Sequence, residues 1–436
     1  MEKSPELLAP AGTLQSLRYA FAYGADAVYA GQPRYSLRVR NNEFSLENIK
    51  TGIDYAHARG KKFFLASNLL PHDNKVKTYL RDIEPIIACS PDALIMSDPG
   101  LIMLVRERWP DLPIHLSVQA NTLNSAAVKF WQSIGLTRII LSRELSLKEI
   151  ETIRQECPDM ELEVFVHGAL CIAFSGRCLL SGYFNHRDAN QGACTNACRW
   201  QYKTHTAQQD VSGDVVLIEE ANRPDELMPM YEDEHGTYIM NSKDLRAIEH
   251  VQKLLEIGID SLKIEGRTKS YFYTARTTQI YHQAIVNAQA GKTFDNNLLE
   301  ALDGLSNRGY TEGFYRRHPP QQRQNYDCGA STSSKQRFVG DILRSEENML
   351  EIEVKNKFSV GDTLTLLRPE GDCRFILETM EDLQGNAISV APGSGHVVRI
   401  KAPQNISAEF ALLLADIKET SAIKEIPAKD LTTCSC

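Results

Sequence analysis

At 436 residues the chain is too long for one hydrophobic core, so a large domain with a smaller companion is expected. Its net charge of −8 excludes a general nucleic-acid coat of massed Lys and Arg, while leaving room for local basic patches. No basic run leads into an apolar stretch at the N-terminus, and no apolar segment reaches the roughly 20 residues that span a bilayer. A cytoplasmic protein with no membrane partner is therefore expected, and its ten cysteines read as ligands, catalysts or core residues rather than disulfides.

Short apolar runs recur at 6–9, 27–30, 62–66, 93–96, 114–118, 138–141, 162–166 and 261–264, separated by amphipathic stretches such as 45–59 and 146–157. Strands alternating with helices of this length predict parallel βαβ units, and about eight of them predict an α/β fold of the (β/α)8, TIM-like type. A ninth run, 238–240, exceeds the count and is expected to cap or edge the barrel. The repeat breaks at about 170–236, an insertion that carries cysteines, and resumes to about residue 320 with a long helix at 271–290. From 335 to 405 the pattern changes to short strands separated by Gly-Asp turns, which predicts a small C-terminal β-barrel. Residues 406–436 read as a tail.

Polar residues follow the strand ends: Asn68, Ser97, Asp98, Gln119, Asn121, Arg143, Glu144, His167, Lys243, Asp244, Glu265 and Arg267. In a barrel these positions converge on one mouth, where catalytic groups sit. Each alone could be a helix cap or turn residue, but Arg143, Lys263 and Arg267 are poor caps.

Cys171 and Cys178 are separated by six residues, Cys178 and Cys194 by fifteen, Cys194 and Cys198 by three. Four thiolates this close can hold one metal centre, and thiolates suit both Zn²⁺ and iron–sulfur clusters. Structural zinc sites favour tight knuckles at both ends, which the first gap fits poorly. Zinc, an iron–sulfur cluster and unliganded core thiols all remain open on spacing alone. There is no HExxH helix, Gly-x-Ser-x-Gly elbow or Walker lysine loop.

The segment Glu163-Val-Phe-Val-His-Gly-Ala-Leu-Cys171-Ile-Ala-Phe-Ser-Gly-Arg-Cys178 resembles the signature of the collagenase-like peptidase family, whose better-understood members are iron–sulfur hydroxylases. Glu6-Leu-Leu-Ala-Pro-Ala-Gly12, Gly-Ala-Cys194-Thr-Asn-Ala-Cys198-Arg-Trp200, Ser261-Leu-Lys-Ile-Glu-Gly-Arg267 and Lys355-Asn-Lys-Phe-Ser-Val-Gly-Asp362 extend the resemblance over nearly the whole chain. It implies a 4Fe–4S cluster on Cys171, Cys178, Cys194 and Cys198, and prephenate-dependent 5-hydroxylation of the wobble uridine of tRNA. Uridine C5 is not acidic, so hydroxylating it needs redox chemistry that side chains do not supply. Prephenate carries two carboxylates, which Arg143, Lys243, Lys263 and Arg267 would suit, with His167, Asp244 or Glu265 handling protons. For the tRNA partner the candidate contacts are Arg34, Tyr35, Arg38 and Arg40, near Phe44, together with Arg316 and Arg317; an aromatic beside Arg can stack a splayed base. Rival readings are a peptidase, a hydroxylase of ribosomal RNA or of a quinone precursor, and a zinc-scaffolded RNA-binding module.

Overall fold

Strands covered on both faces need no polar alternation, and the chain's first strands are runs of that kind. The computed structural model describes residues 4–37, 43–171, 173–175, 177–178, 195, 202–205, 215–220, 227–233, 236–237, 243–307, 309–316, 335–346, 348–402 and 407–417. Seven strands come first: β1 (Glu6–Pro10), β2 (Ala27–Gly31), β3 (Lys62–Ser67), β4 (Ala93–Met96), β5 (Ile114–Leu116), β6 (Arg138–Ile140) and β7 (Glu161–Ala169). The insertion contributes a four-stranded antiparallel sheet of β8 (Tyr202–His205), β9 (Val215–Glu220), β10 (Leu227–Asp233) and β11 (Gly236–Thr237). After it come β12 (Asp244–Arg246) and β13 (Ser261–Ile264). Strands β1 to β7 pair in sequence, all parallel, and β13 pairs with both β1 and β7, closing an eight-stranded barrel.

The eight runs singled out in the sequence are these eight strands. The ninth, 238–240, lies outside the described residues; just beyond it, β12 edges the barrel by pairing antiparallel with β7, and β14 (Tyr310–Thr311) pairs with β12.

Helices begin where a side chain can satisfy an orphan N–H. Thr13, Ser45, Asp98, Asn124 and Ser270 each accept from the N–H three residues on. Ser146 does the same within a reciprocal box with Glu149. Asp98, one of the strand-end residues, is thus a cap.

The C-terminal unit is an antiparallel sheet of seven strands in the order Cys373–Ile376, Thr363–Leu367, Leu412–Asp416, Gln336–Glu346, Met349–Val354, Val397–Lys401 and Met380–Glu381, with a separate ladder of Phe358–Ser359 and Val390–Ala391. No pairing among the described residues joins its two edge strands into a closed barrel. The expected boundary at 405 is corrected: Leu412–Asp416 is a central strand, hydrogen-bonded to Gln336–Glu346 on one side and Thr363–Leu367 on the other. Both of its faces are covered, so it lacks the alternation that marks a half-buried strand. Leu413 and Ala415 belong to the sheet's own core, while Leu412 and Leu414 join Tyr23, Ala275 and Leu367 in the joint with the barrel.

That joint is also hydrogen-bonded. Tyr23 OH donates to Leu367 O and Phe410 O, Tyr271 OH to Asp341 Oδ2, and Arg276 Nη1 to Asp372 Oδ2. Among the described residues no helix is long and apolar enough to cross a membrane.

Candidate functional site

Alternation along β13 sends Ser261 and Lys263 to the face shared with Glu163 and Phe165 of β7. Inside the barrel, Glu163 is fully buried between Lys263 Nζ at 2.7 Å and Arg138 Nη1 at 3.2 Å. Arg138 also donates to Glu6 Oε1 at 2.6 Å and to Glu161 Oε2 at 3.0 Å, and Ser261 Oγ donates to Glu6 Oε1. Glu6, Arg138, Glu161 and Ser261 are the first residues of their strands, so this network fills the N-terminal half of the barrel. Lys263 reaches up from it, its ammonium 4.3 Å from the Tyr29 ring centre. Burial pulls the Lys263 ammonium below the usual lysine range, against the opposing pull of Glu163.

Three of the four expected anion-binding cations meet here through shared aromatic faces. Arg143 lies 3.9 Å from the Phe165 ring centre, Lys263 lies over both Phe165 and Tyr29, and Arg267 lies 5.6 Å from Tyr29. Arg143 is steered by a bond from its Nη1 to Ala169 O at the end of β7, and Arg267 by one to Ser36 Oγ, on the loop after β2. The stem of Lys243 runs past Gly309 on the β12–β14 side instead.

A bulge then redirects the end of β7. Lys263 pairs with Phe165 but Ile264 pairs with His167, so Val166 is an extra residue and His167 takes the face of Ile264 rather than that of Phe165. Freed from the ladder, Val166 O accepts from Tyr281 OH at 2.7 Å and from Ala247 N at 2.9 Å. His167 is buried in a cage of Tyr273, Tyr281 and Tyr310, with ring centres 5.5 to 5.9 Å away. The Tyr281 hydroxyl spends its hydrogen on Val166 O and lies 3.4 Å from His167 Nδ1, so it acts as acceptor there. That assigns the proton to Nδ1 and leaves Nε2 with the lone pair. Burial, then the positive charges of Arg246 and Lys269, lower the imidazole pKa to about 3, and the ring is neutral at physiological pH.

Glu265 and Asp244 stand near the same tyrosines. Glu265 N–H donates to His167 O, and its carbonyl accepts from Tyr273 OH at 2.8 Å. Burial raises the Tyr273 hydroxyl well above the usual tyrosine range, and Glu265, Tyr310 and Asp244 push the same way. All three candidate proton handlers thus surround Tyr273. Two glycines make room for the approach. A Cβ on Gly168, at φ +108, would stand 2.6 Å from Glu265 O, and one on Gly266, at φ +146, would stand 2.5 Å from the Tyr273 ring.

The cysteine-bearing segment leaves the barrel here. Cys171 stands two residues past β7 and is exposed; Cys178 is half-buried. A turn closed by Arg177 N–H donating to Phe174 O lies between them, and Asn121 Nδ2, beyond β5, donates to Ser175 O at 2.8 Å. The segment is thereby drawn across the mouth from β7 towards β5. The exposure of Cys171 does not fit a core thiol, whereas a soft metal centre at a barrel mouth suits such donors. Cys194 and Cys198 lie outside the described residues.

The RNA-facing candidates divide. Arg34 is exposed and ion-paired with Asp82 at 2.8 Å; Arg316 is exposed and 3.3 Å from Glu312. Tyr35 requires correction as a stacking residue: it is fully buried, its hydroxyl bonded to Asp82 and Thr78, so its ring is not open to a base. Phe44 is buried as well. Arg38, Arg40 and Arg317 lie outside the described residues. Tyr29, Tyr273, Tyr281 and Tyr310 are not among the candidates expected from the sequence, although Tyr273 and Tyr281, eight apart on the helix Tyr271–Gln289, share a face.

Over 94% of its length the chain is 58% identical to tRNA hydroxylation protein P of Escherichia coli, of which it covers 96%. It is 54% identical to the protein of the same name from Haemophilus influenzae, over 96% of this chain and 97% of that one. A 23S rRNA 5-hydroxycytidine synthase of Escherichia coli is 30% identical over 92% of this chain and 59% of its own length. Residues 12–325 match peptidase family U32, and residues 334–414 match the peptidase family U32 C-terminal domain. The chain therefore belongs to peptidase family U32.

Proposed function

We propose that the chain is a tRNA hydroxylase of the cytoplasm, acting on C5 of the wobble uridine with prephenate and a 4Fe–4S cluster held by Cys171, Cys178, Cys194 and Cys198. The observation that carries this reading is similarity over almost the full length to proteins named for tRNA hydroxylation. When bound, the cluster would supply the redox chemistry that oxidising an sp² carbon requires.

The protein's own residues have separable tasks. Arg143, Lys263 and Arg267 offer paired positive charge to the two carboxylates of prephenate, with Lys243 as a further cation from the β12 side. Phe165 and Tyr29 exclude water around them and strengthen those contacts. Glu265 and Asp244 are the groups for proton movement. Neutral His167 holds the strand end through its carbonyl, keeping Glu265 in register. Exposed Arg34 and Arg316, with Arg38, Arg40 and Arg317, are the candidate phosphate contacts.

The test is nucleoside analysis of tRNA and rRNA from a strain lacking the gene, complemented with wild type or with each single Cys→Ala variant. Wild type should restore 5-hydroxyuridine-derived nucleosides in tRNA, while the four variants should not, and their anaerobically purified proteins should lack visible cluster absorption. Full modification by all four variants would sink the cluster assignment. A lesion confined to rRNA would redirect the substrate to ribosomal RNA.

A further inference from the structure

Five polar atoms around the barrel mouth are buried with no partner: Gln32 Oε1, Gln119 Oε1, Asn121 Oδ1, Thr122 Oγ1 and Arg143 Nε. Native interiors leave few such atoms, and a bound ligand is one of the reasons they exist. Gln32 follows β2, the next three follow β5, and Arg143 follows β6. The rim between them is continuous. Gln32 N–H donates to Ala66 O of β3, Asn68 Nδ2 reaches across to Ser117 Oγ at 3.2 Å, and Ser142 N–H donates to Thr122 O.

Asn121 is the informative member. Its Nδ2 lies 3.0 Å from Gln119 O and 2.8 Å from Ser175 O, both acceptors, so the amide cannot be turned round. Oδ1 is therefore an acceptor facing no donor. The side chain is carried in a left-handed backbone conformation, φ 52, which Asn tolerates better than most residues. Thr122, 1% exposed, adds a hydroxyl that can donate or accept.

An unmatched acceptor repels a carboxylate, so this side of the mouth does not suit a dicarboxylate; the cations of β6, β13 and the loops beyond them do. It suits a ligand that brings a donor flanked by acceptors. The Watson–Crick edge of uracil is such a group, with N3–H between O2 and O4. Cytosine presents a bare N3 beside an amino group. We propose that Asn121 Oδ1 accepts the N3–H of the flipped target uracil, while Thr122 Oγ1 donates to an adjacent carbonyl oxygen, and that this pair makes the enzyme choose uridine over cytidine. The inference rests on the tRNA-uridine reading above. It also links two tasks, because the amide that reads the base holds Ser175, between Cys171 and Cys178.

The test uses the whole protein and anticodon stem-loops carrying uridine, cytidine or 3-methyluridine at the wobble position, with binding read by fluorescence anisotropy. Wild type should bind the uridine loop about tenfold or more tighter than the other two, since each alternative leaves Oδ1 unmatched. Asn121→Ala should bind uridine and cytidine loops alike, and Thr122→Val, which keeps the shape, should narrow the gap. Equal binding of uridine and 3-methyluridine loops by wild type overturns the proposal without any variant. If Asn121 only anchored Ser175, its loss would weaken every loop equally and preserve the uridine preference, which also overturns it. In both cases the tRNA reading stands; binding of none of the loops would remove that reading and this inference together.

Discussion

The two ends of the barrel handle buried polar groups in opposite ways. At the N-terminal end, Arg138 is matched by Glu6, Glu161 and Glu163, and Glu163 is matched again by Lys263. At the mouth, Gln32, Asn121 and Thr122 keep unmatched atoms, and a thiol is exposed at Cys171. The ionic cluster at one end is matched from within the chain, His115 Nδ1 beside it being an exception, while the mouth gathers five unmatched atoms. In barrels of this kind stability and chemistry divide along the same axis.

The largest test of that contrast is Arg138→Ala, which leaves Glu163 facing a single cation. Breaking a buried pair from one side costs about 3–5 kcal/mol, and urea unfolding should show a loss of that order. Removing Asn121 should move stability far less than it moves RNA selectivity. A loss under about 1 kcal/mol for Arg138→Ala would mean that the lower network does not hold the base of the barrel together.

At the upper end, Gly168→Ala forces a side chain into a positive-φ position already filled by Glu265 O. The strain is about 1–3 kcal/mol, and we expect tRNA hydroxylation in complemented cells to fall further than thermal stability.

A pH series sharpens the comparison with one histidine from each end. His167 near the mouth and His115 near the base both have folded pKa values below the ordinary one, through burial first and then neighbouring cations. Between a folded value of about 3 for His167 and an unfolded one of about 6.5, the unfolded chain binds more protons, so stability rises with pH. The contribution of His167 is complete above pH of about 6.5 and falls by about 2 kcal/mol at pH of about 5, and His115 acts in the same direction. Urea midpoints at neutral and mildly acid pH should show this, and His115→Asn should flatten the slope. The smallest effects belong to the loop after β2. Tyr35→Phe should cost about 1 kcal/mol through its lost hydrogen bonds. Arg34→Ala, in an exposed pair, should change stability by less than about 0.5 kcal/mol in the same unfolding assay.

The barrel was legible because a strand buried on both faces leaves an uninterrupted apolar run, and all eight such runs became barrel strands. The same kind of run at 410–415 has no turn signals or alternation to mark it as sheet, so it reads as tail. Lys263 was visible as a strand-end cation, but its partner Glu163 is 100 positions away and only the closed barrel brings them together. His167 was visible too; the bulge at Val166, which decides its facing, has no sequence signature here. Arg34-Tyr35 looks like a stacking motif until Asp82 and Thr78, on the helix Asp73–Ile87, are seen to hold the hydroxyl. Spacing cannot choose between zinc, an iron–sulfur cluster and unliganded thiols, because thiolates at these separations suit more than one centre.

The strand Leu412–Asp416 also sets an order on assembly. Its partners, Gln336–Glu346 and Thr363–Leu367, are translated earlier but are not joined to each other except through it. Until residue 416 has been made, the sheet is two fragments with exposed edges, and the barrel surface around Tyr19 and Tyr23 lacks Phe410, Leu412 and Leu414. Such edges and apolar patches invite mispairing during synthesis. A nascent chain stopped near residue 405 should therefore carry a folded barrel and an aggregation-prone remainder, while one extended past 416 should fold as a whole.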